Sequence, residues 1–441
     1  MTMTPASGPA RPDAATSHQA RLRLSRLLGR PVADRTGESL GKLADVIVRL
    51  RGTDYPEVTG LVATVGHREV FVPAEQVSDL EADPLRLSSA KLDLRRFERR
   101  DGEVLLRADV LGHRLIDVAN ARLVRAADLE LAWDDGGWSL AGVDTRRRPR
   151  RLFGLLGPGT EPDDAPFRDW HDFEWLIGHQ GSALLRSPFA RIRRLKPAQI
   201  ADLLEDASKE EETEILGRVH DDPELEADVF EELDEDLASR LLGARTDSEI
   251  AAVLTRMRAD DAADAVAELP QNRRQPVLDL LPPGQRTKVL TLLGFNSTSA
   301  GGLMGVDYVT VPTMATVGDA LEAVRVASTL QPEALTSVHA VDQDGGLRGV
   351  ARLVAMVQAD PGGPLLDICD TDPVRVGADA DAMDVAVLMT DYNLITIPVV
   401  DEERRLLGVI TVDDILEVTL PDDWRRREAA EPPDAHHGEA T

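Results

Sequence analysis

The stretch IPVVDEERRLLGVITVDDILEV, residues 397–418, contains two apolar segments separated by a polar turn and followed by an acidic helix start. Short apolar runs bounded by turn residues are typical of buried strands. The same order occurs in VHAVDQDGGLRGVARL, which begins at Val338 and aligns with the segment from Ile397 after a shift of 59 residues. This alignment matches Gly349 with Gly408. We therefore predict two copies of one β-α-β-β-α unit.

Upstream of this pair, residues 192–294 consist of short helical phrases that each end at a polar residue, a proline or a glycine. Central apolar residues recur about every twelve residues, which is the length of one short helix and a turn. A single helix of that length cannot bury its apolar stripe, so neighbouring helices should stack into a superhelix. Prolines within the segment exclude a continuous coiled coil. The central residues are Leu203, Ile215, Val229, Leu241, Val253, Val266, Val277 and Val289.

The N-terminal part of the chain contains another internal repeat. LGRPVADRTGESLGKLADVIVRL from Leu28 aligns with LGHRLIDVANARLVRAADLELAW from Leu111 after a shift of 83 residues, which matches Asp45 with Asp128. After each aspartate, apolar and polar residues alternate, as expected for a half-buried strand. Each copy continues with a further strand, VTGLVATV or SLAGVDT. We predict two small β-barrels in this part.

These three regions resemble known families. LLGFNSTSAGGLMGVDYVTVPTMATVGDALEAVR, residues 292–325, together with the stretch 397–418, is similar to the cytosolic half of the MgtE magnesium transporters. The β-α-β-β-α pair resembles a pair of CBS (cystathionine-β-synthase) domains, and LLGRPVADRTGESLGKLADVIV resembles the PRC-barrel family. The resemblances imply a regulatory superhelix and CBS pair, with PRC-like barrels as docking modules rather than catalysts.

The predicted fold class is multidomain α+β, with two small PRC-like β-barrels, an α-helical superhelix and an α/β CBS-domain pair. In the MgtE family a membrane pore follows the CBS pair. The C-terminal tail here is charged and contains prolines, so we expect a protein that does not itself conduct ions. The predicted parts are a disordered N-terminus (1–20), PRC-barrel-like domains 1 (21–84) and 2 (104–158), a linker (159–189), an MgtE-N-like α-superhelix (190–298), CBS domains 1 (299–366) and 2 (367–420), and a disordered tail (421–441).

Charge is unevenly distributed along the chain, whose net charge is −28 at pH 7. Residues 1–200 contain 31 Lys and Arg against 28 Asp and Glu, whereas residues 201–441 contain 19 against 50. Crowded carboxylates repel one another, and a bound cation relieves that repulsion. The alternative is an acidic surface that only maintains solubility. Charge of this sign argues against nucleic acid as the partner of the acidic half.

Two acidic helix segments, ADDAADAVAELP and VDDILEV, match positions at which the MgtE resemblance implies Mg²⁺ sensing. Spacings of three and four residues place carboxylates on one helical face. Mg²⁺ prefers oxygen ligands and often keeps part of its water shell. The alternative is that these aspartates cap free N–H groups at helix starts. The predicted metal-binding residues are Asp260, Asp261, Asp264, Asp413, Asp414 and Glu417.

A second predicted ligand is ATP or another adenine nucleotide. CBS pairs often bind such nucleotides through a Gly-apolar-apolar-Thr/Ser-x-x-Asp pattern, which the second copy fits with Gly408, Thr411 and Asp414. The resemblance implies that the hydroxyl reaches phosphate or ribose and that the carboxylate accepts from ribose hydroxyls. The first copy has Arg352 and Ala355 at the corresponding positions, so at most one such site is expected.

We expect a regulatory protein that is not an enzyme. The sequence lacks a Walker A loop, a G-x-S-x-G elbow and an H-E-x-x-H motif. The longest apolar stretches, such as Ile395 to Val400, are too short to cross a membrane. We therefore expect a cytoplasmic protein, or a peripheral one at the inner face of the membrane, that takes part in magnesium homeostasis.

The partners are implied by the same resemblances. CBS pairs commonly dimerise, which implies a homodimer through the CBS pair. The PRC-like barrels would dock the protein to a separate membrane transporter or to another protein.

Two alternative functions remain open from the sequence alone. One is an adenine-nucleotide sensor whose acidic clusters are only surface. The other is an RNA- or ribosome-associated factor, because PRC-like barrels also occur in a ribosome maturation protein.

Overall fold

The chain divides into two compact units, one up to Leu233 and one from Asp234 onward. The predicted disordered N-terminus up to residue 19 and the predicted tail lie outside the described residues, as does the predicted linker apart from residues 167–176. The computed structural model describes residues 20–49, 54–88, 97–100, 102–134, 137–146, 167–176, 191–328 and 330–420.

The first unit begins with a strand-rich part and ends with three helices. Its described helices are α1 (Leu24–Leu27), α2 (Pro197–Glu205), α3 (Lys209–Val219) and α4 (Pro223–Glu231). Its described strands are β1 (Arg21–Arg23), β2 (Pro31–Ala33), β3 (Ser39–Arg49), β4 (Glu57–Val65), β5 (Arg68–Pro73), β6 (Val77–Asp79), β7 (Leu85–Leu87), β8 (Glu103–Leu105), β9 (Arg114–Asp117), β10 (Arg122–Arg125), β11 (Asp128–Asp134), β12 (Gly137–Asp144), β13 (Arg168–Asp169) and β14 (Phe173–Trp175).

Eleven of these strands form one curled sheet with the order β1-β11-β12-β4-β3-β2-β7-β6. Strands β5, β8 and β13 extend this sheet beside β4, β3 and β12, and β10, β9 and β14 form a smaller sheet. One apolar core contains side chains from both predicted copies, among them Leu24, Val46, Leu129 and Leu140. It also contains Phe173 of β14, so this part of the predicted linker belongs to the fold. The two predicted copies are therefore built around a shared core.

The two copies also exchange strands. Strand β1 pairs with β11 of the second copy, and β8 pairs with β3 of the first copy. The 83-residue shift that relates the copies brings β1 onto the position of β8. A copy of about 60 residues would by itself bury a smaller fraction of its surface than a domain of twice that size. Because each copy completes the sheet of the other, the two copies together bury more apolar surface.

Two buried aspartates at equivalent positions hold the exchanged segments. Asp45 accepts hydrogen bonds from the backbone N–H groups of Arg107 at 2.7 Å and Ala108 at 3.0 Å. Asp128 accepts from the backbone N–H of Ser25 at 3.0 Å and from its hydroxyl at 2.5 Å. Ser25 and Ala108 are themselves related by the 83-residue shift. Burial raises the pKa of Asp45 to about 6, although the N–H donors oppose this effect.

Short helices form the predicted superhelical segment. Helices α2 to α4 end the first unit, and five more helices begin the second unit. Alternate helices of the second unit stack on one another, α5 on α7, α7 on α9, and α6 on α8. Because each helix is short, this stacking buries the apolar stripes that single helices would expose. The five helices are α5 (Glu235–Gly243), α6 (Asp247–Leu254), α7 (Ala259–Glu268), α8 (Gln271–Leu280) and α9 (Pro283–Leu292).

The rest of the second unit contains the two predicted β-α-β-β-α copies after a short helix α10. In each copy the first strand is parallel to the second, and the third is antiparallel to the second. The helices are α10 (Ala300–Leu303), α11 (Val317–Val326), α12 (Leu353–Gln358), α13 (Ala382–Asp391) and α14 (Val412–Thr419). The strands are β15 (Thr310–Pro312), β16 (Ser337–Val341), β17 (Leu347–Arg352), β18 (Val376–Gly377), β19 (Thr396–Val400) and β20 (Leu406–Thr411).

The two copies meet through equivalent residues. The hydroxyl groups of Ser337 and Thr396, which the 59-residue shift relates, lie 2.9 Å apart and share a hydrogen bond. Gly346 and Arg405, related by the same shift, form an antiparallel β-bridge. Contacts between equivalent residues are what a local two-fold axis produces. The copies therefore form one symmetric pair, with α12 and α14 at corresponding positions.

Candidate metal centre

The predicted acidic residues lie on helices of the second unit. Helix α7 begins after Arg258, so Asp260 and Asp261 fall in its first turn. Helix α14 begins after Thr411, so Asp413 and Asp414 fall in its first turn. Free N–H groups at the start of a helix favour carboxylates at these positions. Both acidic helix starts therefore have a local explanation before any ion is considered.

Arg258 connects the two helix starts. Its Nε donates to Oδ2 of Asp261 at 2.7 Å, and its Nη1 donates to Oδ1 of Asp414 at 2.8 Å. The Arg258 and Asp261 side chains are each 23% exposed, and the Asp414 side chain is 10% exposed. The guanidinium of Arg258 therefore occupies the position between these two carboxylates where the sequence suggested an ion.

Asp260 lies beside this ion pair, but its own charge is poorly compensated. Burial raises the pKa of Asp260, and the Asp414 carboxylate adds to this effect. The positive charge of Arg258 and the backbone N–H groups at the start of α7 act in the opposite direction. A raised pKa means that the environment disfavours the ionised carboxylate. A further cation close to Asp260 would relieve this destabilisation.

A larger group of carboxylates, which we call the α5–α7 carboxylate face, consists of Glu235 on α5 and Asp260, Asp264 and Glu268 on α7. Desolvation and the negative charges of Asp260, Glu235 and Glu268 raise the pKa of Asp264 to about 6. The charge of Glu268, followed by desolvation and a hydrogen bond between the two carboxyl groups, raises the pKa of Glu235. Because Glu235, Asp264 and Glu268 are exposed, a hydrated cation can reach them.

The predicted ligands Asp413 and Glu417 are exposed residues on α14. Within the described ranges, no group of three or more His, Cys, Asp or Glu side chains has the arrangement needed to hold a metal ion directly. Mg²⁺ gives up its water shell reluctantly and is often held through retained waters. A Mg²⁺ ion at the carboxylate face would therefore have to bind through retained waters rather than through direct contacts with several carboxylates.

Sequence reasoning missed Arg258, Glu235 and Glu268. The spacing of three residues between Arg258 and Asp261 favours an ion pair on a helix, so this contact could have been predicted. The contact of Arg258 with Asp414 joins residues 156 positions apart. Glu268 follows Asp264 by four residues on α7, so the same spacing rule could have placed it on this face. Glu235 lies on α5, and no local spacing reveals that α5 and α7 stack.

The residues predicted to bind an adenine nucleotide take part in packing and hydrogen bonds within the protein. A Cβ atom at position 408 would lie 2.6 Å from the Met304 side chain, so the close packing requires Gly408. The Thr411 hydroxyl donates to Oδ2 of Asp414 at 2.5 Å, and the Thr411 N–H donates to the same oxygen at 3.2 Å. The other oxygen of Asp414 accepts from Arg258. The pattern therefore has a structural role, and nucleotide binding stays a prediction.

Comparison with known families identifies the helical segment that carries this face. Residues 195–298 match the family model of the MgtE intracellular N domain. This segment of the chain is therefore similar to the MgtE intracellular N domain. Residues 365–420 match the CBS domain, and residues 20–94 match the PRC-barrel domain. The MgtE N domain thus includes α2 to α9 with the carboxylate face, whereas α14 and Asp414 belong to the CBS domain.

Several magnesium transporters are similar to this chain. The magnesium transporter MgtE of Thermus thermophilus is 37% identical over 187 residues, which cover 41% of this chain and 41% of that protein. MgtE of Enterococcus faecalis is 30% identical over 131 residues, which cover 30% of this chain and 29% of that protein. The chain therefore spans less than half the length of the curated relatives that it matches.

Two solved structures are also similar. The crystal structure of the cytosolic domain of the Mg²⁺ channel MgtE in complex with ATP is 30% identical, with a TM-score of 0.49, and the match covers 54% of this chain and 97% of that chain. The crystal structure of the soluble part of a magnesium transporter is 24% identical, with a TM-score of 0.49, and the match covers 54% of this chain and 92% of that chain. Among the helices of the described residues, none has the length and apolar character that a membrane span requires.

Proposed function

We propose that this protein is a Mg²⁺-responsive regulator, not an enzyme, and that the α5–α7 carboxylate face of its MgtE N domain binds hydrated Mg²⁺. The observation that carries this proposal is the crowding of Glu235, Asp260, Asp264 and Glu268, because the pKa values of the first three are raised. The 37% identity to the magnesium transporter MgtE of Thermus thermophilus supports Mg²⁺ as the ion.

The energetic reason is the mutual repulsion of the carboxylates. Two like unit charges about 4 Å apart repel each other by roughly 4 kcal/mol at the effective dielectric constant of about 20 that applies near a protein surface. Protons relieve this repulsion at low pH, which is why the pKa values rise. A divalent cation relieves it at neutral pH and competes with protons for the same oxygens.

The response would reach the CBS domain through Asp260. Asp260 belongs to the carboxylate face and also lies beside Arg258 and Asp414. A cation at the face neutralises Asp260, which changes the electrostatic potential at the ion pair that joins α7 to α14. Because Mg²⁺ binds most tightly to the arrangement that brings the carboxylates together, it increases the population of that arrangement.

The test is a measurement of backbone protection in the full-length chain. Hydrogen–deuterium exchange is measured in EDTA and in 10 mM MgCl₂, with KCl of equal ionic strength as the control. We expect Mg²⁺, but not KCl, to slow exchange in peptides from α5, α7 and α14. Equal exchange in all three conditions would overturn the proposal. The same experiment with ATP tests the adenine-nucleotide alternative, which requires protection around Gly408 and Thr411 without MgCl₂.

A regulator of this kind acts through partners, and we infer two of them. The first is a second copy of the chain. The CBS pair exposes large apolar side chains on consecutive helices, including Val354 and Val357 on α12, Met383 and Val387 on α13, and Leu416 on α14. Burial of apolar surface is the main driving force for such association. The second partner is a separate membrane transporter, which the PRC-like part would dock at the inner face of the membrane.

A further inference from the structure

The strand-rich unit contains a cavity that the Mg²⁺ proposal does not use. The cavity has a volume of about 360 Å³ and opens where β4 begins beside β12. Glu57 on β4 pairs with Ser139 on β12, and both residues line the cavity. Small-molecule sites in proteins have volumes of roughly 300 to 1,000 Å³. The cavity is therefore large enough for a small organic molecule.

Aromatic rings line one part of this cavity. The rings of Tyr55 and His171 meet edge to face with their centroids 4.2 Å apart, and both residues line the cavity. The Tyr55 hydroxyl donates to Asp169 at 2.7 Å, which holds the ring in place. Trp138 also lines the cavity and packs against Trp133, with ring centroids 5.7 Å apart. These contacts orient the rings before any ligand arrives.

Carboxylates line another part of the same cavity. Asp54, Glu57 and Asp134 contribute acidic side chains, and all three residues are exposed. Among the described residues that line the cavity there is no lysine or arginine. Aromatic faces attract cations within about 6 Å of the ring centroid. Rings combined with carboxylates are the chemistry that recognises a cation with apolar substituents.

We propose that this cavity binds a small organic cation of the alkylated ammonium class. The rings of Tyr55 and Trp138 would contact the alkyl groups and the positive charge, and Glu57 would balance the charge. Hydrated Mg²⁺ is a poor ligand for this cavity, because its water shell gains little from aromatic surfaces. The inference is independent of the proposed function, since its residues lie in the other compact unit.

The test uses the full-length protein and two simple probes. Choline carries a quaternary ammonium group, and 3,3-dimethyl-1-butanol is its neutral isostere. Isothermal titration calorimetry is carried out with both compounds on the wild type, Glu57→Gln, Trp138→Leu and Glu38→Gln. The last variant is the matched control, because Glu38 is exposed and does not line the cavity. It makes the same change in net charge as Glu57→Gln.

We expect choline to bind saturably and the neutral isostere to bind at least about fivefold more weakly. The energy of one cation–π contact corresponds to a change in affinity of about this size. Glu57→Gln and Trp138→Leu should each weaken choline binding by about fivefold or more, whereas Glu38→Gln should leave it unchanged. Circular dichroism establishes that each variant is folded. The inference is overturned if choline shows no saturable binding up to 50 mM, if the neutral isostere binds equally well, or if Glu57→Gln and Glu38→Gln behave alike.

Discussion

Nη1 of Arg258 lies 2.8 Å from Oδ1 of Asp414, and this ion pair joins the MgtE N domain to the CBS domain. Nε of the same guanidinium donates to Asp261 at 2.7 Å. All three side chains are mostly shielded from solvent, so salt screens these pairs less than it screens exposed pairs. Arg258 therefore provides a permanent positive charge beside the carboxylates of Asp261 and Asp414.

Replacement of Arg258 should make the stability of this junction depend on Mg²⁺. Arg258→Gln leaves Asp260, Asp261 and Asp414 close together without their arginine. We expect the free energy of unfolding in EDTA to fall by about 3 kcal/mol, because two charge-assisted hydrogen bonds are lost. We expect 10 mM MgCl₂ to restore part of this loss, as measured by urea denaturation.

The matched control for this prediction is Arg256→Gln. Arg256 is exposed and donates to the carbonyl group of Ala252, so its replacement changes the net charge equally. It should lower stability less and should show the same response to MgCl₂ as the wild type. Equal responses of the two variants would show that Arg258 does not substitute for a cation at this junction.

The exchanged strands of the first unit should depend on Asp45 and Asp128. Asp45→Asn replaces one carboxylate oxygen by an NH₂ group, which cannot accept hydrogen bonds from backbone N–H groups. We expect the free energy of unfolding to fall by about 1 to 3 kcal/mol at pH 7, the usual cost of an unsatisfied buried polar group. Asp128→Asn should behave in the same way, as measured by thermal denaturation. Glu38→Gln is the exposed control, and an equal loss in that variant would contradict this explanation.

His339 should make the stability of the CBS pair depend on pH. Its side chain is fully buried, Nδ1 lies 3.2 Å from the carbonyl oxygen of Val309, and burial lowers its pKa to about 4 from the ordinary value of 6.5. Between these two values the unfolded chain binds a proton and the folded chain does not, so stability falls as pH decreases from 6.5 to 4. The difference between these two pKa values corresponds to a loss of about 3 kcal/mol in the free energy of unfolding.

The measurement compares the wild type with His339→Leu, since carboxylates also titrate in this pH range. We expect the difference in the free energy of unfolding between the two proteins to change by about 3 kcal/mol from pH 7 to pH 4. A difference that stays constant over this range would mean that His339 is not buried in the neutral form.

The apolar side chains exposed on α13 should mediate dimerisation. Met383 and Val387 are 56% and 51% exposed, and they lie one helical turn apart. The double variant Met383→Glu, Val387→Asp places charges on this surface, so we expect the chain to sediment as a monomer in analytical ultracentrifugation. Leu290→Asp on α9, which replaces another exposed apolar residue, should not change the sedimentation of the wild type. A monomeric wild type would contradict the homodimer proposal.

The sequence was sufficient for features that depend on local periodicity. The twelve-residue repeat predicted each short helix, and seven of its eight central residues are buried, including Val253 and Val266. In α5, however, Leu242 is the buried residue and Leu241 is only partly buried, because single residues of a short helix do not define its orientation. The 59-residue shift likewise predicted two equivalent copies, but the contact between Ser337 and Thr396 became visible only in the structure.

Contacts between distant segments could not be predicted in this way. The 83-residue repeat shows that two copies exist, but it does not show which copy completes which sheet. The pairing of Leu22 with Leu131 and the hydrogen bond from Ser25 to Asp128 depend on tertiary packing. The same limit applies to the carboxylate face. The charge pattern indicated a cation site, whereas the stacking of α5 on α7 determines that Glu235 belongs to it.

The most direct test of the Mg²⁺ proposal is isothermal titration calorimetry with MgCl₂ on the full-length chain and on the double variant Asp264→Asn, Glu268→Gln. The control variant, Glu210→Gln with Asp344→Asn, makes the same charge change at two exposed residues outside the face. We predict that the wild type and the control bind Mg²⁺ with equal affinity. We predict about tenfold weaker binding by the face variant, a loss of about 1.4 kcal/mol. Equal affinity in all three proteins, or no binding by the wild type, would contradict the account.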